Sequence, residues 1–247
     1  MEYENYYAQG STLVHSDRFQ WVINTFINSK PGAKILEIGC GDAGCIYFLK
    51  QQGFEVYGAE YSESAIQRAA SNELQVVKFD ASQDVLPFAN ASFDIVICLE
   101  TYEHLRNPQH CTEEILRVLK LNGQLVVSVP NPHFSFESHG FLYPCLFRVR
   151  NFVEYFHNNG FQVGKIRPHV NCSLLNKLVN SPKSPLSYFL PKSFRDFYKN
   201  KVEQFFPYYC ASYSNLYCMS LIKVTDKNLY DEIEAKTSGA YTLSVPN

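Results

Sequence analysis

Gly39, Gly41 and Gly44 lie directly behind the apolar run 35–38, in the sequence Ile-Leu-Glu-Ile-Gly-Cys-Gly-Asp-Ala-Gly, and an amphipathic stretch follows them. A buried strand that turns through glycines into a helix brings bare backbone close to a ligand and aims the helix's free N–H groups at it. The spacing fits G-x-G-x-x-G, which by itself also suits a dinucleotide-binding dehydrogenase. Acidic residues narrow the reading. Glu37 precedes the glycines, Glu60 ends the second apolar run and Asp80 the third. In an open parallel sheet such strand ends line one crevice, so the three carboxylates would face one ligand. Glu60 follows the glycine turn by about 20 residues, the offset at which a carboxylate accepts hydrogen bonds from ribose hydroxyls.

The elements that position these residues alternate along the chain. Apolar runs at 34–38, 54–59, 74–79, 93–99 and 124–129 predict strands. Helical spacing at 16–29, 45–51, 63–70 and 110–119 predicts helices between them, with Ser16 as N-cap of the first and Asn122-Gly123 closing the last as a left-handed C-cap. Continuous apolar strands alternating with helices indicate an α/β doubly wound, Rossmann-like parallel sheet covered on both faces. A helix at 150–158, stopped by Asn159-Gly160, precedes a sixth strand at 161–166 and a seventh at 215–224. The insertion 171–207 between them carries four prolines and many aromatic residues, and reads as a cap or lid over a substrate. The division expected is an N-terminal cap with the first helix at 1–33, a main domain at 34–225 and a peripheral tail at 226–247.

Of the 247 residues, 46% are hydrophobic and 19% charged, enough for one large domain with a substantial core. No apolar stretch is long enough to span a bilayer, and the acidic, aromatic N-terminus is unlike a signal peptide, so a cytoplasmic protein is expected. None of the eight cysteines forms a Cys-x-x-Cys pair, which favours buried free thiols over zinc or disulfides; no metal site is read from the sequence. The formal net charge of −2 conceals a division: nine Lys and Arg against 17 Asp and Glu up to Gly140, then eleven against three as far as Thr225. Trp21 reads as core.

Five ordered segments together resemble a known family. They are Ile-Leu-Glu-Ile-Gly-Cys-Gly, Val-Tyr-Gly-Ala-Glu-Tyr-Ser, Val-Lys-Phe-Asp-Ala, Phe-Asp-Ile-Val-Ile-Cys-Leu-Glu-Thr-Tyr-Glu-His-Leu, and Leu-Arg-Val-Leu-Lys-Leu-Asn-Gly-Gln-Leu-Val-Val-Ser-Val-Pro-Asn. Their order and spacing resemble a class I S-adenosylmethionine-dependent methyltransferase, most nearly the branch containing quinone-biosynthesis O-methyltransferases. The resemblance implies a seven-stranded sheet with an antiparallel last strand, and S-adenosyl-L-methionine as cofactor. It implies that Glu37, Gly39, Cys40 and Gly41 surround the cofactor's methionine part, that Glu60 holds its ribose, that Tyr61 packs on its adenine, and that Asp80 with Ala81 receives the adenine edge. Leu99 and Glu100 would lie under the sulfonium, with His104 near the methyl group as candidate general base. The family has a further glycine where Ala43 stands.

Methyl transfer from a sulfonium is a direct displacement, so alignment of two bound reactants supplies most of the acceleration and no catalytic triad is needed. A small-molecule acceptor methylated on oxygen or nitrogen is expected. A nucleic acid or protein acceptor is the alternative left open by the basic later segment, and a binding-only relative is another. A nicotinamide oxidoreductase is less favoured, because Pro191 interrupts the Tyr-x-x-x-Lys spacing of Tyr188 and Lys192. Asn131-Pro132-His133-Phe134 is similar to a motif of base amino-methyltransferases but follows the fifth strand rather than the fourth.

Overall fold

The computed structural model describes residues 16–131, 142–143, 146–168 and 216–224. The expectations for Tyr188 and Lys192, the insertion 171–207, the tail 226–247 and most of the N-terminal cap lie outside the described residues. Seven strands form one sheet: β1 (Lys34–Ile38), β2 (Glu55–Glu60), β3 (Val76–Lys78), β4 (Phe93–Leu99), β5 (Leu119–Pro130), β6 (Phe161–Pro168) and β7 (Leu216–Lys223). Their order is β3-β2-β1-β4-β5-β7-β6, parallel from β3 to β5, with β7 antiparallel to both its neighbours. The predicted doubly wound sheet with its reversed last strand is the observed one.

Why the central strands read as continuous apolar runs is visible in their two faces. Leu36 and Ile38 of β1, Val96 and Cys98 of β4, Leu125, Val127 and Val129 of β5, and Tyr217, Met219 and Leu221 of β7 point into one core. Ile35, Ile95, Ile97, Leu99, Val126 and Cys218, one residue out of step, point into the other. Each face buries every second side chain, so alternation of polarity disappears. The larger core is covered by α4 (Pro108–Val118) and α5 (Val149–Asn158), the smaller by α1 (Ser16–Phe26) and α2 (Gly44–Gln51). A third cluster lies under α3 (Glu63–Ala70) and centres on Ile46, Ala69 and Leu74. Trp21 packs beside the smaller core, edge-on to Phe26 at 5.5 Å.

Helix ends follow local chemistry where side chains cap them and tertiary contacts where they do not. The Ser62 hydroxyl accepts from Ala65 N–H at the start of α3, and the Asn107 side chain accepts from His110 N–H at the start of α4, where Pro108 needs no partner for its nitrogen. Gly160, at φ 82°, ends α5 as expected. Two boundaries differ from the sequence reading. α1 stops at Phe26, short of residue 29, because Gln124 Nε2 donates to Phe26 O and Lys165 Nζ to Thr25 O. These distant side chains take over the carbonyls of the last turn. Asn122 does adopt the left-handed conformation (φ 62°), yet α4 has already ended at Val118 and β5 begun at Leu119. The register passes from Phe93 opposite Leu119 to Ile95 opposite Gln124, so Asn122-Gly123 turns within an irregular entry to β5.

Among the described residues Lys223 is a buried cation, only 4% exposed, and its ammonium donates to Leu116 O at 2.9 Å and Leu119 O at 3.0 Å. In step with Tyr217, Met219 and Leu221, it reaches the C-terminal end of α4 on the face of the sheet that this helix covers. Lys223→Met should leave both carbonyls without these donors and lower unfolding free energy by about 2–4 kcal/mol in urea titration.

Candidate functional site

The sheet reverses direction of growth between β1 and β4, and at that point the carboxyl ends of neighbouring strands part to leave a crevice. The loop from Gly39 to Ala43 crosses its floor. Gly39 (φ 69°) and Gly41 (φ 50°) both need the left-handed region, and Ala43 (φ 61°) adopts it as well. Ala43 therefore sits in a conformation natural to glycine, which accounts physically for the glycine of the resembling family at that place. Gly39 has a second constraint. A Cβ built on it would collide with Thr101 Oγ1 and lie 2.7 Å from Thr101 Cγ2, because Thr101 packs directly on the turn.

Glu60 ends β2 on the other side of this loop and is 3% exposed. Its Oε2 accepts from Gly41 N–H and its Oε1 from Ser62 N–H, each at 2.8 Å. Burial raises its pKa, and hydrogen bonds from the Ser62, Gly41 and Tyr61 amides pull the other way. Each oxygen retains a lone pair for a further donor. Glu37, also 3% exposed, is pushed up to about 8 by burial, with Arg18 and the Ile46 amide opposing, and its Oε2 is buried without a hydrogen-bond partner among the described residues. Cys40 is buried beside it, its thiol raised by desolvation.

Asp80 lies one strand further out, just past β3, where its carboxylate accepts from Ser82 N–H at 2.9 Å and Gln83 Nε2 at 3.0 Å. Ala81 behind it is buried. Tyr61 is exposed, its ring 5.5 Å from the Lys78 ammonium. On the opposite wall Leu99 ends β4 and is buried. Glu100 then takes a left-handed turn (φ 50°) and forms an ion pair with Arg18 of α1. A short 3-10 turn, Tyr102–His104, follows. The Tyr102 ring fixes it, packed edge-on against Phe152 and Phe156 at 5.6 Å, with its hydroxyl 2.9 Å from Thr112 Oγ1. Glu103 on this turn is buried, and His104 is half-buried with Nε2 3.9 Å from Glu103 Oε1.

The structure therefore collects Glu37, Gly39, Cys40, Gly41, Glu60, Tyr61, Asp80, Ala81, Leu99, Glu100 and His104 along one edge of the sheet. Two participants had no sequence signal. Arg18 lies in an ordinary amphipathic helix 82 residues from its partner, and Thr101 matters only through its contact with Gly39.

Residues 36–127 match the model of a family described as "Methyltransferase domain". Over residues 36–127 the chain therefore carries an S-adenosylmethionine-dependent methyltransferase domain. It is 32% identical over 97 residues to a probable S-adenosylmethionine-dependent methyltransferase of Mycobacterium tuberculosis, covering 39% of this chain and 35% of that one. It is 29% identical over 108 residues to the ubiquinone biosynthesis O-methyltransferase of Idiomarina loihiensis, covering 40% and 43%. The matched stretch thus spans well under half the length of these relatives. A chain from the complex between the Haloferax volcanii Trm112 methyltransferase activator and a methyltransferase superposes with a TM-score of 0.59 at 17% identity, covering 91% of this chain and 98% of that one, which shows the fold. S-adenosylmethionine is the methyl donor of this family. The crevice fits such a group: it offers a glycine at 39 that no side chain could replace, a buried carboxyl at Glu60 with spare acceptor capacity, and, at Glu37, a buried carboxyl oxygen that lacks a partner among the described residues. No helix among the described residues is long and apolar enough to cross a membrane.

Two measurements probe this geometry. Gly39→Ala should destabilise the domain by about 2 kcal/mol or more and abolish cofactor binding, with Thr101→Ala restoring part of the stability in the double variant. Glu37 holds its proton in the folded state up to about pH 8, whereas the unfolded carboxyl loses it near its ordinary value of 4.5. Between those limits the native state binds more protons, so stability falls as pH rises, by at most about 1.4 kcal/mol per pH unit from this group. Glu37→Gln should remove that contribution, and chemical denaturation of both proteins between pH 5 and 8 would reveal it.

Proposed function

We propose that this protein transfers the methyl group of S-adenosylmethionine to an oxygen or nitrogen of a small-molecule acceptor. The observation that carries the reading is the convergence of the glycine turn, Glu60 and the β4 edge on one crevice at the sheet's switch point. Glu60 presents its free lone pairs to the ribose hydroxyls while its amide partners keep the carboxylate fixed. Gly39, Cys40 and Gly41 let the methionine part lie against backbone, with Glu37 beneath it. Tyr61 is exposed and free to turn its ring onto the adenine, and Asp80 with Ala81 borders the adenine edge. Leu99 and Glu100 stand below the reacting sulfur, and His104 flanks the acceptor's approach.

When bound, the cofactor supplies an electrophilic methyl carbon. The chain's contribution is alignment and exclusion of water: apolar Leu99 and the immobilised 3-10 turn hold the acceptor in line without covalent help. Small-molecule chemistry is favoured by the names of two relatives, the ubiquinone biosynthesis O-methyltransferase of Idiomarina loihiensis and the norajmaline N-methyltransferase of Rauvolfia serpentina. The basic later segment keeps a nucleic acid or protein acceptor as the second reading.

Isothermal titration with S-adenosylmethionine and S-adenosylhomocysteine tests the proposal. Glu60→Ala should weaken both by about 100-fold, and Glu60→Gln, which can still accept one hydrogen bond, by less. Unchanged affinity in Glu60→Ala would remove the ribose assignment, and binding of NADH in place of both ligands would remove the function.

A further inference from the structure

Helix α1 crosses the smaller core from one edge of the sheet to the other. Its last turn is held by Gln124, which stands opposite Ile95 near the start of β4, while Arg18 in its first turn meets Glu100 just past the end of β4. Arg18 therefore lies at the carboxyl edge. Glu37 follows Ile35 by two residues and so points to the face that α1 covers, the face on which Ile35, Ile97 and Leu99 build the core below. The charge of Arg18 is felt at Glu37, at Cys45 of α2 and at Cys218 of β7, which puts the guanidinium in the same corner.

Two atoms in this corner lack a hydrogen-bond partner among the described residues. Arg18 Nε is a buried donor without an acceptor and Glu37 Oε2 a buried acceptor without a donor, and they are not bonded to each other. The Arg18 side chain is only 17% exposed. Buried polar atoms left in this state cost free energy, so the corner calls for a group that carries an anion and a cation side by side. Glu100 occupies Nη1 of the guanidinium. The other edge, formed by Nε with Nη2, is one that takes a carboxylate through two parallel N–H···O bonds.

Resting on the methyltransferase reading, we propose that Arg18 binds the α-carboxylate of the cofactor's methionine part through its Nε edge, while Glu37 receives the neighbouring ammonium. Helix α1 is then a wall of the cofactor site as well as a cover for the core, and the corner reads the amino-acid end of the ligand as a zwitterion. Glu100 has a part in this. By holding Nη1 it fixes the plane of the guanidinium before the ligand arrives, which lowers the ordering cost of binding. Methyl transfer leaves the carboxylate and ammonium unchanged, so Arg18 grips donor and product alike and acts on affinity rather than on the chemical step. A nucleoside that lacks the carboxylate keeps the contacts with Glu60 and loses this one.

S-adenosylmethionine and its decarboxylated form differ only in the carboxylate, so calorimetric titration of the full chain with each isolates that group. The wild-type protein should bind S-adenosylmethionine about 10- to 100-fold more tightly than the decarboxylated ligand. Arg18→Met should weaken S-adenosylmethionine by about 10-fold or more and leave the decarboxylated ligand within about threefold, so that the preference disappears. Arg18→Lys keeps a positive charge for Glu100 but has no Nε edge, and should narrow the preference by about threefold or more even if Arg18→Met proves too unstable to measure. A side chain that served only to pin α1 to Glu100 would shift both ligands equally. Equal weakening of the two ligands, a preference that survives both substitutions, or a wild-type protein without the preference would overturn the assignment to Arg18 and leave the methyltransferase reading intact. Failure of S-adenosylmethionine and S-adenosylhomocysteine to bind the wild-type protein would overturn the two together.

Discussion

A single carboxylate, Glu60, ties the glycine turn after β1 to the turn that starts α3. With one oxygen on Gly41 N–H and the other on Ser62 N–H, it gives two irregular backbone segments a common rigid partner at the mouth of the crevice. Neither turn has a ladder of its own to define it, and both carry amides that would otherwise be left without a partner. Ser62 in turn caps α3, and Gly41 sits in a conformation set by its lack of a side chain. The geometry of the site is therefore fixed by a charge-assisted pair of hydrogen bonds held in a water-poor environment.

Such an arrangement concentrates carboxyl groups away from water. Glu37, Glu60 and Glu103 are all buried and all displaced upward by desolvation, with Arg18 the cation that opposes the shift at Glu37 and Glu103. A cluster of this kind would be unfavourable in a protein without a cationic ligand, because each acid must either stay protonated or remain unpaired. Arg18 offsets part of that cost at Glu37 and Glu103, and amide donors do so at Glu60.

Much of this was legible in the chain itself. Strands β1 and β4 and helix α3 have the bounds that periodicity assigns, and the order of carboxylates at strand ends was sufficient to place Glu37, Glu60 and Asp80 on one edge. What escaped were features set by distant contacts. The end of α1 depends on Gln124 and Lys165, and the role of Asn122 depends on how β5 pairs with β4. Glycine-like strain at Ala43 and the seat of Thr101 on Gly39 involve backbone shape and tertiary proximity, neither of which residue type encodes. The Arg18–Glu100 ion pair is of the same kind.

The placement of β7 between β5 and β6 has a consequence for how the molecule comes into being on the ribosome. Residues 16–131 can assemble five parallel strands while synthesis continues, but β6 has no neighbour in the sheet until residues 216–223 emerge. Until then the long apolar edge of β5 stays open, and Lys223 has yet to reach the end of α4. The nascent chain must therefore carry a sticky, half-finished sheet through the translation of some 80 further residues, a window in which it depends on chaperones or on speed to avoid pairing with a stranger.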